Sequence, residues 1–390
     1  MWHDDAAGAG RGRAPQMTAS HDVAVVGAGI VGLAHALAAA RRGKRVVVLE
    51  RDAQANGASI RNFGFVTVTG QQAGDCWLKA RRSRDVWAEV APAAGIPILQ
   101  RGLFVAARRP ESEAVVDAFL ATDMGAECRR LTPAEAQAQM PALRASALRC
   151  VLASPHELRV ESRAAIPRLA AWLAEKHGVT FLWQTQVHAV AAPRIGTSRG
   201  PVEAETVIVC PGDSFHGPFA DRIARFGLTR CQLQMLRVRP GAPGALAAAV
   251  MSDLGLARYR GYADLPAADP LKAVLDREQA EARANGVHLI VVQSSDGTLV
   301  VGDSHHYAAT PPPFASEAVD RLILDEMEAV LDLGRWQVCE RWTGTYASAD
   351  DRWRLTDAPD DATRIVIVTS GTGASTAFAI GEETVAGLYG

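Results

Sequence analysis

Residues 23–51 read "VAVVGAGIVGLAHALAAARRGKRVVVLER", and no other stretch limits the fold as much. An apolar run over 23–26 leads into Gly27, Gly29 and Gly32, a G-x-G-x-x-G pattern. An Ala- and Leu-rich segment over 30–42 follows, then a second apolar run over 46–49 that stops at Glu50. This order predicts strand, tight turn, helix and strand, the unit that wraps a dinucleotide. The first glycine permits the turn, the second lets backbone approach a pyrophosphate, and the third lets helix and strand pack closely. The helix start, at Ile30 and Val31, offers unpaired N–H groups and partial positive charge to the phosphates. Glu50 can accept hydrogen bonds from a ribose diol and would repel a 2′-phosphate, which disfavours NADP. Arg51 beside it works in the opposite sense.

Beyond that unit, strand-like and helix-like segments alternate, which argues an α/β protein. The texture changes near Pro97. "ILQRGLFVAARR" reads as strands joined by a glycine turn. "LTPAEAQAQMPAL" opens a helix, with Thr132 as cap, Pro133 at the first helical position and Glu135 completing a capping box. "SRAAIPRLAAWLAEKHG" predicts a helix interrupted or kinked near Pro167 and closed by Gly178. "VTFLWQTQVHAV" and "AETVIVCPG" read as strands, and "HLIVVQSSDGTLVVGDSHHY" as a hairpin turning at Asp296 and Gly297. "RIVIVTSGTGASTAFAIGEETVAGL" closes the chain as strand, glycine turn and helix. The expected fold class is α/β, α+β overall. A Rossmann-like dinucleotide domain is built from 21–96, 157–228 and 340–390. A mainly antiparallel β-sheet domain, from 97–156 and 229–339, is inserted into it.

The 390 residues leave room for both domains, and 48% hydrophobic with 22% charged residues is ordinary for a globular protein. Lys plus Arg total 41 against 43 Asp plus Glu, so nothing points to nucleic acid or an anionic membrane as partner. The cysteines Cys76, Cys128, Cys150, Cys210, Cys231 and Cys339 form no C-x-x-C pair, so no metal site is expected. They are expected reduced and buried, as in a cytoplasmic protein. The first twenty residues are small, polar and glycine-rich, and read as a disordered leader with Met17 as an alternative start. They lack the apolar centre of a signal peptide. No apolar run approaches the roughly 18 residues of a membrane span.

Two distant segments separate FAD from NAD. An NAD enzyme continues with regular βαβ units, whereas here "NGASIRNFGFVTVTGQ" alternates small residues and glycines with Arg61 and Asn62. Such a segment suits a flat ring lying along its backbone. "TSGTGAS", residues 369–375, feeds a second helix N-terminus, and an FAD needs two anion-stabilising ends. The G-x-G-x-x-G…Glu start, the S-x-R-N-x-G segment, "VIVCPGDS" and "SGTGASTAFAIGEE" together resemble the D-amino-acid oxidase superfamily of FAD-dependent oxidoreductases, which includes glycine and sarcosine oxidases. The resemblance covers nearly the whole chain from about residue 20. More narrowly, "SIRNFGF", "SPHELRVESR" and "GDSHHY" resemble a subgroup of proposed aminophosphonate-oxidising flavoenzymes. The resemblance implies an FAD-binding domain and a substrate-binding domain. It implies cofactor contacts from Ser59, Arg61, Asn62, Phe63 and Gly64, from Gly212, and from Gly371, Thr372, Gly373, Ala374 and Ser375. The backbone of Val187 would meet adenine. In sarcosine-oxidase-like members a cysteine shortly before the last glycine turn links the flavin; Cys339 lies several residues too early, so noncovalent FAD is expected.

The resemblance also implies oxidation of a C–N bond beside a small anionic group, with O2 or another acceptor receiving the electrons. Such chemistry needs positioning and a dry site more than a nucleophile, and no Ser-His-Asp or paired-carboxylate motif stands out. No catalytic residue is assigned. The anion should be met by Arg, His or Tyr. Candidates are Arg61 in the flavin-side loop and Arg258, Tyr259 and Arg260 in one basic-aromatic cluster. His305 is preferred over the adjacent His306, because neighbours on a strand point opposite ways. Tyr307, Arg341 and Tyr346 complete the set. The bland readings are solvated strand edges for residues 258–260 and an ion-paired structural strand for "SPHELRVESR". A phosphonate should recruit more donors than a carboxylate does. The favoured substrate is an aminophosphonate related to 2-aminoethylphosphonate. The alternatives are a glycine, sarcosine or D-amino-acid oxidase or dehydrogenase, and a non-catalytic flavin-binding subunit.

Overall fold

The computed structural model describes residues 21–241 and 244–390. The expected leader over 1–20 lies outside the described residues. The predicted unit forms as written: strand His21–Val26, helix Ile30–Arg41 and strand Val46–Leu49. The helix is buried from Ile30 to Ala39 apart from Val31, because helices pack on it as well as the sheet.

One sheet runs in the order Arg354–Asp360, Thr363–Val368, Val202–Val209, His21–Val26, Val46–Leu49, Thr180–Leu182. All neighbours are parallel except the edge strand Arg354–Asp360. Strand order reverses beside His21–Val26, since the chain goes to Val46–Leu49 on one side and Val202–Val209 on the other. Ligands of open α/β sheets bind at such a reversal, outside the carboxyl ends of the strands.

The second sheet has the long strands Ile98–Ala107, Cys150–Val160, Thr229–Pro240 and Trp336–Ser348 as its frame. It is antiparallel except where Ala249–Ser252 runs parallel to Ile98–Ala107. Trp336–Ser348 pairs along Thr229–Pro240, so residues 340–348, assigned to the dinucleotide domain from sequence, hydrogen-bond within this sheet.

Local expectations mostly hold. Thr132 and Glu135 form the capping box. Gly178 ends helix Ser162–His177 in the left-handed conformation, and Ile290–Gln293 turns to Leu299–Gly302 around Gly297. Three details differ. "ILQRGLFVAA" is one strand with a shift of register around Gly102, not two strands joined by a turn. There φ is +80° and a Cβ would lie 2.5 Å from the Ser154 carbonyl, so glycine bends the strand without ending it. The helix over 162–177 runs unbroken through Pro167. All six cysteines are free, but Cys339 is exposed and Cys128 half-buried, so burial does not describe the set.

Candidate active site

A cavity of about 600 Å3 opens at the strand reversal and runs between the two sheets. Its nucleotide end is made largely of backbone. Gly27 turns with φ +106°, and a Cβ on Gly32 would sit 1.9 Å from the Gly27 carbonyl oxygen. Glu50 fixes this turn by accepting from the Ala28 N–H at 2.8 Å and the Asp52 N–H at 3.1 Å. Its carboxylate oxygens keep lone pairs for further donors. Ser59 Oγ accepts from the Ile30 N–H at 2.9 Å and so meets one unpaired donor of the helix start. Val187, Arg51 and Gly212 also line this end.

The loop that follows is folded by Asn62, whose amide donates to the Ala58 carbonyl at 2.8 Å and accepts from the Gly64 N–H at 2.7 Å. Arg61, Asn62 and Phe63 line the cavity. Gly64 does not: it lies behind, where a Cβ would meet the Val160 carbonyl oxygen at 1.7 Å. Its part is to let the loop pack on a strand.

The far end is closed by the start of helix Gly373–Tyr389. Gly371, Thr372, Gly373, Ala374 and Ser375 all line the cavity. Ser375 Oγ accepts from the Thr67 N–H at 2.9 Å, and the Ala374 carbonyl accepts from Trp87 Nε1–H at 2.8 Å. Two helix starts therefore open on one cavity, each with donors and partial positive charge. This donor set, and a glycine turn that any Cβ would fill, fit a flavin dinucleotide. Cys339 is outside the cavity wall, with its thiol 3.4 Å from the Arg237 carbonyl oxygen.

Most of the remaining candidates gather at one wall. Arg258, Tyr259, Arg260, His305, Tyr307 and Tyr346 all line the cavity. Residues 258–260 are not a strand edge: they lead into the short helix Arg260–Ala263. Arg258 Nη2 donates to the Tyr307 hydroxyl at 3.0 Å, whereas Arg260 is exposed and paired with Asp264 at 3.2 Å. The two histidines diverge as expected: His305 faces the cavity, and His306 Nε2 meets the Asn285 side chain at 3.0 Å. Burial pushes the Tyr346 hydroxyl well above its ordinary range. Arg341 is a correction. It lies off the cavity with its guanidinium on Asp320 at 2.8 Å, because Trp336–Ser348 turns that side chain to the outer face of the sheet.

Sequence reasoning missed Asp303 and His288, which share this wall. Both are buried, with Asp303 4% and His288 2% exposed. Burial raises the Asp303 carboxyl to about 8, against the pull of the Arg258 guanidinium. Burial, reinforced by the same guanidinium, holds His288 and His305 well below the usual range. Asp303 belongs to "GDSHHY", quoted above, yet its depth is a tertiary fact. His288 is a lone histidine before a strand and carries no signal. "SPHELRVESR" is ion-paired only in part, with Arg159 on Glu161 at 3.0 Å; its strand lies in the second sheet, and Glu157, fully buried, accepts from the Thr69 N–H at 2.7 Å in place of an ion pair.

Residues 22–386 match the family described as "DAO: FAD dependent oxidoreductase". No curated protein sequence matches the chain. Glycine oxidase from Geobacillus kaustophilus has a similar structure, with a TM-score of 0.74 at 21% identity over 95% of each chain. L-alpha-glycerophosphate oxidase from Mycoplasma pneumoniae, solved with FAD bound, gives 0.72 at 15% over 95% of each chain. Iminodiacetate oxidase from Chelativorans sp. BNC1 gives 0.68 at 18% over 94% of this chain and 95% of that one. At these identities the likeness is one of fold.

Proposed function

The chain belongs to the family of FAD-dependent oxidoreductases, and from that premise we propose that it oxidises a C–N bond of a small zwitterionic amine. The favoured substrate is an aminophosphonate related to 2-aminoethylphosphonate. The observation that carries this reading is the wall where Arg258, Tyr259, Tyr307 and His305 converge on the cavity. A phosphonate presents three oxygens and up to two charges, and the Arg258 guanidinium with the Tyr259 and Tyr307 hydroxyls supplies the donors such a group recruits. The solved structures of glycine oxidase and iminodiacetate oxidase support an amine substrate by analogy of fold.

The Gly27–Gly32 turn, Glu50 and the helix start at Gly373 would hold FAD, which would supply a two-electron acceptor for the α-hydrogen with its electron pair, with O2 or another acceptor as the final oxidant. The chain's own residues bind, orient and exclude water. Arg258 holds the anion, steadied by Tyr307 at 3.0 Å. Arg61 lines the cavity from the loop that Asn62 folds. Tyr259 and Tyr346, half-buried rings at the wall, shield the reacting nitrogen from bulk water. The imine product then hydrolyses to a carbonyl compound and an amine. We take the cofactor as noncovalent, because Cys339 is off the cavity. Acid precipitation should release yellow flavin into the supernatant. No helix among the described residues is long and apolar enough to cross a membrane, and free cysteines fit the cytoplasm.

Anaerobic bleaching of the flavin, backed by a hydrogen peroxide assay, tests the reading. The panel is 2-aminoethylphosphonate, its N-methyl and 1-hydroxy forms, glycine, sarcosine and D-alanine. Bleaching by the phosphonates is expected. Bleaching by the carboxylates alone transfers the assignment to an amino-acid oxidase. No bleaching by any amine favours a flavin-binding subunit without a substrate.

A further inference from the structure

Beside Arg258 the cavity wall holds an arrangement that binding of an anion does not use. His288 Nδ1 and Asp303 Oδ1 face each other at 3.3 Å, and both are buried atoms without a hydrogen-bond partner. Asp303 Oδ2 lies 3.9 Å from His305 Nε2. The Gly286 carbonyl sits 3.0 Å from His305 Nδ1, so that nitrogen carries the proton and Nε2 is a bare acceptor turned toward Asp303. The His288 and Asp303 backbones are clamped together, with Asp303 N–H donating to the His288 carbonyl at 2.9 Å. A single proton among these groups satisfies the unpaired atoms. A metal cation does not suit the place, because the Arg258 guanidinium acts on all three residues.

We propose that Asp303, steadied by His288 and His305, accepts the ammonium proton of the bound substrate and so delivers the amine as the free base. This rests on the amine-oxidising reading above. In the step, one N–H bond of the ammonium breaks and one O–H bond forms on the Asp303 carboxylate. The nitrogen keeps the electron pair. The proton later leaves to water when product departs. A carboxylate of ordinary acidity is a poor base for an ammonium, and one raised to about 8 is a much better match. The charged or titratable groups facing this cluster are Arg258 and Tyr259 from the turn before helix Arg260–Ala263, and His306 and Tyr307 from strand His306–Ala308. Cys231 and Tyr346 face it from the two long strands. None is a carboxylate, so Asp303 is the one acidic acceptor among them.

The test uses the holoenzyme and Asp303→Asn, which keeps the side-chain shape. Anaerobic flavin reduction by the best amine is followed from pH 6 to 10. In the parent protein the rate should rise through a midpoint near 8. In the variant the rate at neutral pH should fall about 100-fold. Its midpoint should move up toward that of the free amine, and the rates should converge near the top of the range. An equal loss at every pH marks a structural role and overturns the proposal. Histidine side-chain NMR of 15N-labelled holoenzyme gives a readout independent of turnover. A shift of His288 or His305 near pH 8, absent in Asp303→Asn, is expected. Its presence in both proteins overturns the proposal. If Asp303→Asn fails to take up FAD, His305→Gln carries the same measurements, and an unmoved midpoint counts against the cluster. If no amine reduces the parent flavin while the histidine step is present, the amine reading has failed and the proton cluster has not.

Discussion

The two ends of the cavity are built by different means. The cofactor side is backbone: turns, N–H groups and one carboxylate, nearly all from residues 27–64 at the nucleotide end and 371–375 at the far end. The substrate end is side chains delivered from separate places in the chain: Arg258, His288, Asp303, Tyr307 and Tyr346. The glycine turn of the backbone site tolerates no added atom, because a Cβ on Gly27 or Gly32 would lie 2.5 Å or 1.9 Å from a carbonyl oxygen. Side-chain sites tolerate substitution of shape but not of charge. The first kind decides whether a cofactor is held, and the second decides what is done with it.

That contrast can be broken in order of force. Gly32→Ala should be the most damaging change, since its Cβ would lie 1.9 Å from the Gly27 oxygen. We expect protein purified without flavin, or insoluble, read as the flavin-to-protein ratio; normal loading would show that the turn gives way. Arg258→Met should leave flavin content intact and raise the substrate KM by about 100-fold, the scale of a lost charge-assisted contact. An equal loss of flavin would erase the distinction between the ends.

A third prediction concerns pH and belongs to the nucleotide end. His35, inside the first helix, is fully buried, and burial lowers its pKa from 6.5 to about 4. The unfolded chain takes up the proton first on acidification. The stability is therefore complete above 6.5 and is lost as pH falls toward 4, by on the order of 3 kcal/mol. His288 and His305 act in the same direction. Thermal melts between pH 7 and 4 should show the decline, and His35→Leu should flatten part of it. The smallest effect is expected from Arg341→Ala. That residue is 54% exposed and bound to Asp320, so KM should stay within twofold and stability within about 1 kcal/mol.

What could be read from the sequence follows the same division. A G-x-G-x-x-G turn, a capping box and a Gly178 helix stop are local demands of the backbone, and local sequence states them. The bend at Gly102 was misread because a glycine that ends a strand and one that bends it look alike until the Ser154 carbonyl opposite is known. Arg341 was placed in the pocket because nothing near it in sequence announces Asp320, 21 residues upstream, as its partner. Asp303 and His288 acquire their chemistry from burial against each other, and burial of single polar residues has no periodic signature. The preference for His305 over His306 came from strand alternation, which is a local rule.

The bond from the Thr67 N–H to Ser375 Oγ joins positions 308 residues apart. It brings the last helix of the chain against a loop made near its beginning. During synthesis, residues 27–64 emerge well before the wall formed by residues 369–375. Until that wall emerges, a nascent chain carries half a cradle. A chain cut short before strand Thr363–Val368 lacks both the strand and the helix that shut the cavity.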